Sequence, residues 1–301
     1  MPCTLDHHVV TSLAHLERDL SRSVGRCIAD FALIDEGDRI MVCLSGGKDS
    51  YTLLSLLERF RRRAKVRFEL LAVHLDQGQP NYDGAPLQAY LEQNDFSFRI
   101  LREDTYSVVT RHVTEGGTYC SICSRLRRGV LYNAAQELGC TKVALGHHRD
   151  DAIETLLLNL LYTGSLRAMP PKLISDDGRN TVIRPLFYTA ESTIAQYAAL
   201  AGFPILPCDL CGSQEQLKRK QVKRLLEDLV ALAPRARESM LAAITHVRPS
   251  QLADASLWTA LGLPVASTLV TAAIAPLDAQ PMTRASKRRL PLVEDAQDGS
   301  L

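Results

Sequence analysis

Two pairs of cysteines share one internal spacing, Cys120-Ser121-Ile122-Cys123 and Cys208-Asp209-Leu210-Cys211. Each pair can put two thiolates on a single metal, and thiolate ligands suit zinc and iron–sulfur centres alike. Four cysteines on zinc is one reading. A 4Fe-4S cluster is the other, and if only some of its irons are held by thiolates, an open iron can take an exogenous sulfide. Spacing alone does not separate the two. The other cysteines are scattered, and Cys27, Cys43 and Cys140 lie in apolar surroundings where cysteine behaves as a small hydrophobe.

A second chemical signal is Ser45-Gly46-Gly47-Lys48-Asp49-Ser50, directly behind the apolar run 39–44. Adjacent glycines let a backbone turn tightly and approach an anion without side-chain clash. A helix that starts there points free N–H groups and a positive dipole end at the loop. Ser45 and Ser50 add hydroxyl donors and Lys48 a point charge, so the segment reads as a pyrophosphate cradle. It lacks the GxxxxGK[ST] spacing of the Walker loop. Asp49 does not belong in a simple anion cradle; it either binds Mg2+ or makes a structural bond at the helix start.

Gly146-His147-His148-Arg149-Asp150-Asp151 follows another short apolar run. Gly146 permits close approach to a nucleotide. Asp150 and Asp151 suit Mg2+ binding or a base, or else a helix N-cap. Asp76, at the end of a third apolar run, either meets a ribose or adenine edge or caps the next turn. Arg125, Arg127 and Arg128 follow the first cysteine pair, and Lys218-Arg219-Lys220 with Lys223-Arg224 follow the second. Such runs contact RNA phosphates or simply form a solvated helix face.

These groups need elements to hold them. Apolar runs at 39–44, 68–75, 97–101, 142–145 and 182–185 read as strands, and helical periodicity covers about 8–35, 48–62, 85–93, 124–138, 150–162 and 191–201. The alternation predicts an α/β fold with a parallel five-stranded sheet and helices on both faces. Ligands of such sheets sit beyond the carboxyl ends of the strands, which puts loops 45–50, 76–83 and 146–151 on one rim. The expected organisation is an N-terminal helical segment (1–36), a nucleotide domain with the first cysteine pair (37–203), a helical appendage with the second (204–250) and a disordered tail (251–301).

With Lys+Arg 35 and Asp+Glu 34, the net charge of +1 gives no global pull toward nucleic acid, so RNA affinity must be local. No apolar run approaches the roughly 20 residues of a membrane span. The start MPCTLDHHVV lacks the pattern of a secretion signal. The expectation is a cytoplasmic protein with no membrane contact.

SGGKDS resembles the PP-loop of N-type ATP pyrophosphatases, which split ATP into AMP and pyrophosphate. The ordered set SGGKDS, CSICSRLRRG, ALGHHRDD, PPKLISDDG, IRPL and PCDLCGSQ resembles the tRNA 2-thiocytidine synthetase family over about residues 8–250. That resemblance implies an adenine nucleotide alpha hydrolase (PP-loop) fold, ATP and Mg2+ as cofactors, a 4Fe-4S cluster, and a homodimer. It implies 2-thiolation of cytidine 32 in the tRNA anticodon loop, with sulfur from a donor such as a cysteine desulfurase. It makes Ser45, Gly46, Gly47, Lys48, Asp49, Ser50, Asp76 and Gly146 the ATP-binding residues, and Lys48, Asp49, Asp150 and Asp151 the catalytic ones. It makes Cys120, Cys123 and Cys208 the cluster ligands, with Cys211 as the alternative third; the basic runs make Arg125, Arg127, Arg128, Lys218, Arg219 and Lys220 the candidate tRNA contacts.

The implied chemistry explains why one chain carries both a phosphate cradle and clustered thiols. The C2 carbonyl oxygen of cytidine is a poor leaving group until AMP is placed on it, after which sulfide can displace AMP. The alternatives are another PP-loop tRNA-modifying enzyme, either lysidine synthetase-like or a zinc-dependent uridine thiolase, or a nucleotide-sensing module with structural zinc.

Overall fold

The computed structural model describes residues 7–80, 82–112, 119–206 and 214–264, of which 7–11, 111–112, 119–123 and 214–216 by backbone alone. In chain order the elements are α1 (His7–Asp30), β1 (Arg39–Cys43), α2 (Lys48–Arg63), β2 (Glu69–Asp76), α3 (Ala85–Gln93), β3 (Phe98–Arg102), α4 (Thr105–His112) and α5 (Tyr119–Glu137). There follow β4 (Lys142–Ala144), α6 (Arg149–Tyr162), β5 (Lys172–Ile174), β6 (Thr181–Ile183), α7 (Glu191–Ala201), α8 (Gln214–Leu232), α9 (Ala236–Thr245) and α10 (Ala255–Ala260).

The strands form one sheet of order β3-β2-β1-β4-β6-β5. Every pairing is parallel except β5 with β6, which is antiparallel. β1 is the hub: Ile40 faces Leu70 on one side and Lys142 on the other. Its side chains alternate between layers, as a strand of period two requires. Ile40 and Val42 join the core made with α1, α2 and α7 (Leu20, Val24, Leu53, Leu57, Ile194), while Met41 and Cys43 pack with α5 (Leu131, Ala135). Burial on both faces is why β1 reads as an unbroken apolar run. Cys27 and Cys140 are buried as expected and Cys43 partly so, and burial pushes the Cys27 thiol up to about 12.

Strand order reverses at β1. β2 and β3 extend to one side, and β4, β6 and β5 to the other. This is the switch point of an open α/β sheet, where the two outgoing loops part and leave a crevice at the strand ends. The loops that leave β1 and β4 are 44–47 and 145–148, the two richest in functional signals.

The sheet has six strands where five were expected. The sixth, β5, is the first arm of a hairpin closed by Ser175–Asn180: Ser175 N–H donates to Asn180 O at 2.8 Å, Asn180 N–H to Ser175 Oγ at 2.9 Å, and Gly178 takes φ 71°. An Asp-Gly turn between apolar runs is a hairpin signal, but Leu173 and Ile174 on this edge arm are 41% and 63% exposed, so the arm lacks a buried strand's pattern. Helix α4 was also not anticipated. Its Tyr-Ser-Val-Val core favours strands intrinsically, yet Asp104 Oδ1 accepts the Ser107 N–H at 2.9 Å and starts a helix. Helix α5 begins at Tyr119 rather than Ser124, so the first cysteine pair lies inside its opening turn.

Among the described residues, those within 7–160 and 166–247 make one compact unit and those within 161–165 and 248–264 another. The appendage helices thus belong with the sheet. Val222 and Leu226 of α8, one turn apart, are fully buried with Ile153 and Leu157 of α6. In the stretch expected to be disordered, α10 is a short helix. Its N-cap Asp254 accepts N–H groups from Ser256 and Leu257, and Trp258 Nε1 donates to Leu252 O at 2.5 Å. The cap and the indole bond are local features that composition alone does not reveal.

Candidate active site

The loop after β1 is held by its own hydroxyls. Ser45 N–H donates to Ser50 Oγ at 3.2 Å, Ser50 Oγ donates to Gly47 O at 2.9 Å, and Gly47 N–H reaches Ser45 Oγ at 3.4 Å. Gly46 sits at φ 82°, and a Cβ there would come within 2.8 Å of Leu206 Cδ1. Leu206 N–H donates to Gly46 O at 3.0 Å, so the chain beyond α7 braces the turn from behind. Gly47 is the N-cap of α2 and offers no side-chain cap, which leaves the helix start suited to an external anion.

Gly146 has a different immediate neighbour. A Cβ on it would lie 3.1 Å from Asp49 C and Ser50 N. Its bareness lets the β4–α6 loop press onto the first turn of α2, closing the crevice wall. Asp76 Oδ1 accepts the Gly78 N–H at 3.0 Å, which forms a turn at the end of β2. Next to it, His74 is buried, with Nδ1 2.7 Å from Leu44 O and Nε2 bonded to the Tyr82 hydroxyl. Burial lowers its pKa, so His74 ties the β2 end to the phosphate loop as a neutral ring.

Lys48 donates to Asp49 Oδ2 at 3.2 Å and to Glu191 Oε1 at 3.1 Å. Partial burial disfavours its charge, but Asp49 and Glu191 outweigh that and raise its pKa. The other Asp49 oxygen, Oδ1, is buried without a hydrogen-bond partner and lies 3.8 Å from His148 Nε2. An orphaned carboxylate oxygen beside a phosphate cradle fits a hard cation such as Mg2+. No group of three or more His, Cys, Asp or Glu among the described residues forms a metal site by itself. A divalent ion here would therefore take most of its ligands from phosphates and water, as Mg2+ commonly does.

Asp150 and Asp151 are both engaged. Asp150 Oδ2 accepts the Glu191 N–H at 2.8 Å and Oδ1 accepts from Arg237 at 2.6 Å. Burial opposes its charge, yet the Glu191 N–H, Arg149 and Arg237 hold the carboxyl below its usual range. Asp151 Oδ2 accepts the His148 N–H at 3.0 Å, the return half of a capping box on α6. His147 is pushed down to about 4 by burial, with Asp151 opposing and Arg184 and Arg219 reinforcing.

Three contributors escaped the sequence reading. Glu191 joins Lys48 to Lys223, whose Nζ is 3.1 Å from Glu191 Oε2. Glu154 is only 1% exposed, and its carboxylate lies 3.6 Å from Lys223 Nζ and 3.8 Å from Arg219 Nε. Arg237 comes from α9. Glu191 follows Ala190 and opens α7, so its acidic place in a first turn was the one visible signal.

Arg125, Arg127 and Arg128 are exposed on α5, and Lys218, Arg219 and Lys220 are exposed on α8. The backbone of Cys120 and Cys123 falls in the first turn of α5. Their thiols, and all of Cys208 and Cys211, lie outside the described residues. The chemistry of the donor set, two pairs of soft thiolates, fits an iron–sulfur centre.

The profile of the PP-loop domain matches residues 15–228. The tRNA-cytidine(32) 2-sulfurtransferase of Sorangium cellulosum is 59% identical over 251 residues, 83% of this chain and 89% of that protein. The chain belongs to the tRNA-cytidine(32) 2-sulfurtransferase family. Another member, from Aromatoleum aromaticum, is 48% identical across 97% of this chain and 92% of its own. Among solved structures, the U34-tRNA thiolase NcsA from Methanococcus maripaludis with its 4Fe-4S cluster superposes with a TM-score of 0.63 at 19% identity, covering 83% of this chain and 89% of that one. At that identity the likeness speaks for the fold, a mostly parallel α/β sheet flanked by helices. Membership in the 2-sulfurtransferase family sets aside a lysidine synthetase-like enzyme and a nucleotide-sensing module. No helix among the described residues is long and apolar enough to cross a membrane.

Proposed function

We propose that this chain thiolates C2 of cytidine 32 in tRNA, activating the carbonyl with ATP and replacing its oxygen with sulfur. The observation that carries the reading is the phosphate loop: Gly46 turned at φ 82° against Leu206, an uncapped start of α2, and Lys48 beside an orphaned Asp49 oxygen. The relatives are tRNA-cytidine(32) 2-sulfurtransferases, which supports the substrate.

The first turn of α2 and Lys48 would hold the β- and γ-phosphates, with Mg2+ leaning on Asp49. The C2 oxygen attacks the α-phosphorus, the bond to the β-phosphate oxygen breaks, and pyrophosphate leaves into the cradle. Charge that builds on the departing oxygens meets donors already in place, so no reorganisation is needed. A sulfur nucleophile then adds at C2, and the C2–O bond breaks to release AMP. Cys120, Cys123 and Cys208, or Cys211 in place of the last, would hold a 4Fe-4S cluster, which would present sulfide from an external donor to that carbon. Asp150 and Asp151 hold the starts of α7 and α6, and so set the crevice walls. Arg125, Arg127 and Arg128 on one side and Lys218, Arg219 and Lys220 on the other take RNA phosphates. Cytidine must leave its stack to reach the crevice. The reading also includes a homodimer and a cysteine desulfurase as sulfur source.

The test is turnover under anaerobic conditions with ATP, Mg2+, sulfide and tRNA, reading 2-thiocytidine in nuclease digests by mass spectrometry. Wild type is expected to form it together with AMP and pyrophosphate. The K48A variant should lose at least about 100-fold, in keeping with removal of a group that stabilises transition-state charge. The C120A variant should still bind ATP but form no thionucleoside. A colourless zinc-loaded protein that thiolates at full rate would overturn the cluster, and a lack of product at cytidine would overturn the substrate.

A further inference from the structure

The ion pairs around the phosphate loop do not end at Lys48. Glu191 uses Oε1 for Lys48 Nζ at 3.1 Å and Oε2 for Lys223 Nζ at 3.1 Å. Lys223 leans secondarily on Glu154 Oε1 at 3.6 Å, and Lys48 on Asp49 Oδ2 at 3.2 Å. Both lysine side chains keep a path to solvent, 28% exposed at Lys48 and 45% at Lys223. The Glu191 side chain is itself two-thirds shielded, at 33% exposure. Its main chain is fixed separately, because its N–H donates to Asp150 Oδ2.

We propose that Glu191 is a positioning residue that ties Lys48 of the phosphate loop to Lys223 of the basic helix α8, so that nucleotide phosphate at one end and RNA phosphate at the other compete through it. The proposal rests on the functional reading above, which puts ATP at Lys48 and RNA on α8. A shielded carboxylate between two ammonium groups keeps one partner when either leaves. It keeps neither when both leave, and an uncompensated charge away from water is costly. Drawing Lys48 onto a nucleotide therefore makes Lys223 harder to draw onto RNA. Linkage makes the effect reciprocal, so bound tRNA weakens nucleotide affinity by the same factor.

The experiment is calorimetric titration of α,β-methylene-ATP with Mg2+ into the full chain, with and without saturating tRNA. For the wild type, tRNA is expected to raise the Kd about fivefold, the low end of measured couplings. The E191Q variant should bind the analogue more tightly than wild type and lose the tRNA effect. The K223M variant should bind it more weakly, because Glu191 then holds Lys48 alone. In the E191Q background K223M should change nothing. A purely through-space field would instead make the two substitutions additive, and a structural defect would shift both in one direction. Either result overturns the proposal, as does a tRNA-independent Kd in a wild type that binds both ligands. Should E191Q not fold, Glu191→Asp keeps the charge and shortens the reach; it is expected to behave as E191Q would, and wild-type behaviour overturns the tie. A wild type that binds neither the analogue nor tRNA overturns the functional reading and the proposal together.

Discussion

At the scale of single residues, the site depends on two glycines for two different reasons. Gly146 lets one loop press on another. Gly46 combines a left-handed backbone with a wall, since its added Cβ would stand 2.8 Å from Leu206 Cδ1. Strain of that kind costs on the order of 1–3 kcal/mol for a non-glycine residue, before any clash is relieved. Relief would push Leu206 away and break its N–H bond to Gly46 O, opening the turn. The G46A variant is therefore expected to lower the thermal midpoint by a few degrees and abolish nucleotide-analogue binding; normal affinity in calorimetry would show that the turn tolerates a side chain. The role of Gly46 was legible because SGGKDS is contiguous, and a contiguous motif carries its own geometry. Leu206, Glu191 and Lys223 were not legible as partners. Glu191 and Leu206 reach the loop from 143 positions away or more, Lys223 joins it only through Glu191, and nothing in their local sequence names what they touch.

At the scale of elements, apolar runs and helical periods fixed the five buried or half-buried strands to within a residue or two. They missed β5, whose outward residues are exposed, and α4, whose cap overrides its β-branched content. The docking of α8 on α6 shows a further limit. Val222 and Leu226 bury an apolar stripe against Ile153 and Leu157, but Glu154 is caught beneath the same helix. Burial raises its pKa to about 7, with Lys223 opposing and Asp151 reinforcing. The folded state then holds a proton that the unfolded chain releases near 4.5, so stability falls as pH rises from about 4.5 to 7. By linkage this loss reaches on the order of 3 kcal/mol at most. Replacing Glu154 with Gln removes the titration while keeping the shape. Thermal unfolding from pH 4 to 8 should show E154Q gaining on wild type as pH rises from about 4.5 to 7, with the difference levelling off above that. Parallel curves for the two proteins would mean that Lys223 and Arg219 keep Glu154 ionised throughout.

At the scale of the whole molecule, a chain with net charge +1 must bind a polyanion through patches. Among the described residues, two exposed basic patches follow the cysteine pairs, Arg125, Arg127 and Arg128 on α5 and Lys218, Arg219 and Lys220 on α8. They differ in how free their charge is. Arg219 lies 3.8 Å from the buried Glu154, and its neighbour Lys223 is shared with Glu191, so the α8 patch spends part of its charge internally. The α5 arginines follow, in sequence, the opening turn that carries the backbone of Cys120 and Cys123. Each phosphate contact releases counterions, and its loss lowers the slope of log K against log salt by about 0.7–0.9. Replacing all three α5 arginines with Gln should therefore reduce that slope by about 2 to 3 in tRNA-binding titrations. The matching triple replacement on α8 should reduce it by less, because a charge already paired with carboxylate displaces fewer counterions from RNA. A larger change from the α8 replacement would reverse the order and make α8 the main RNA track.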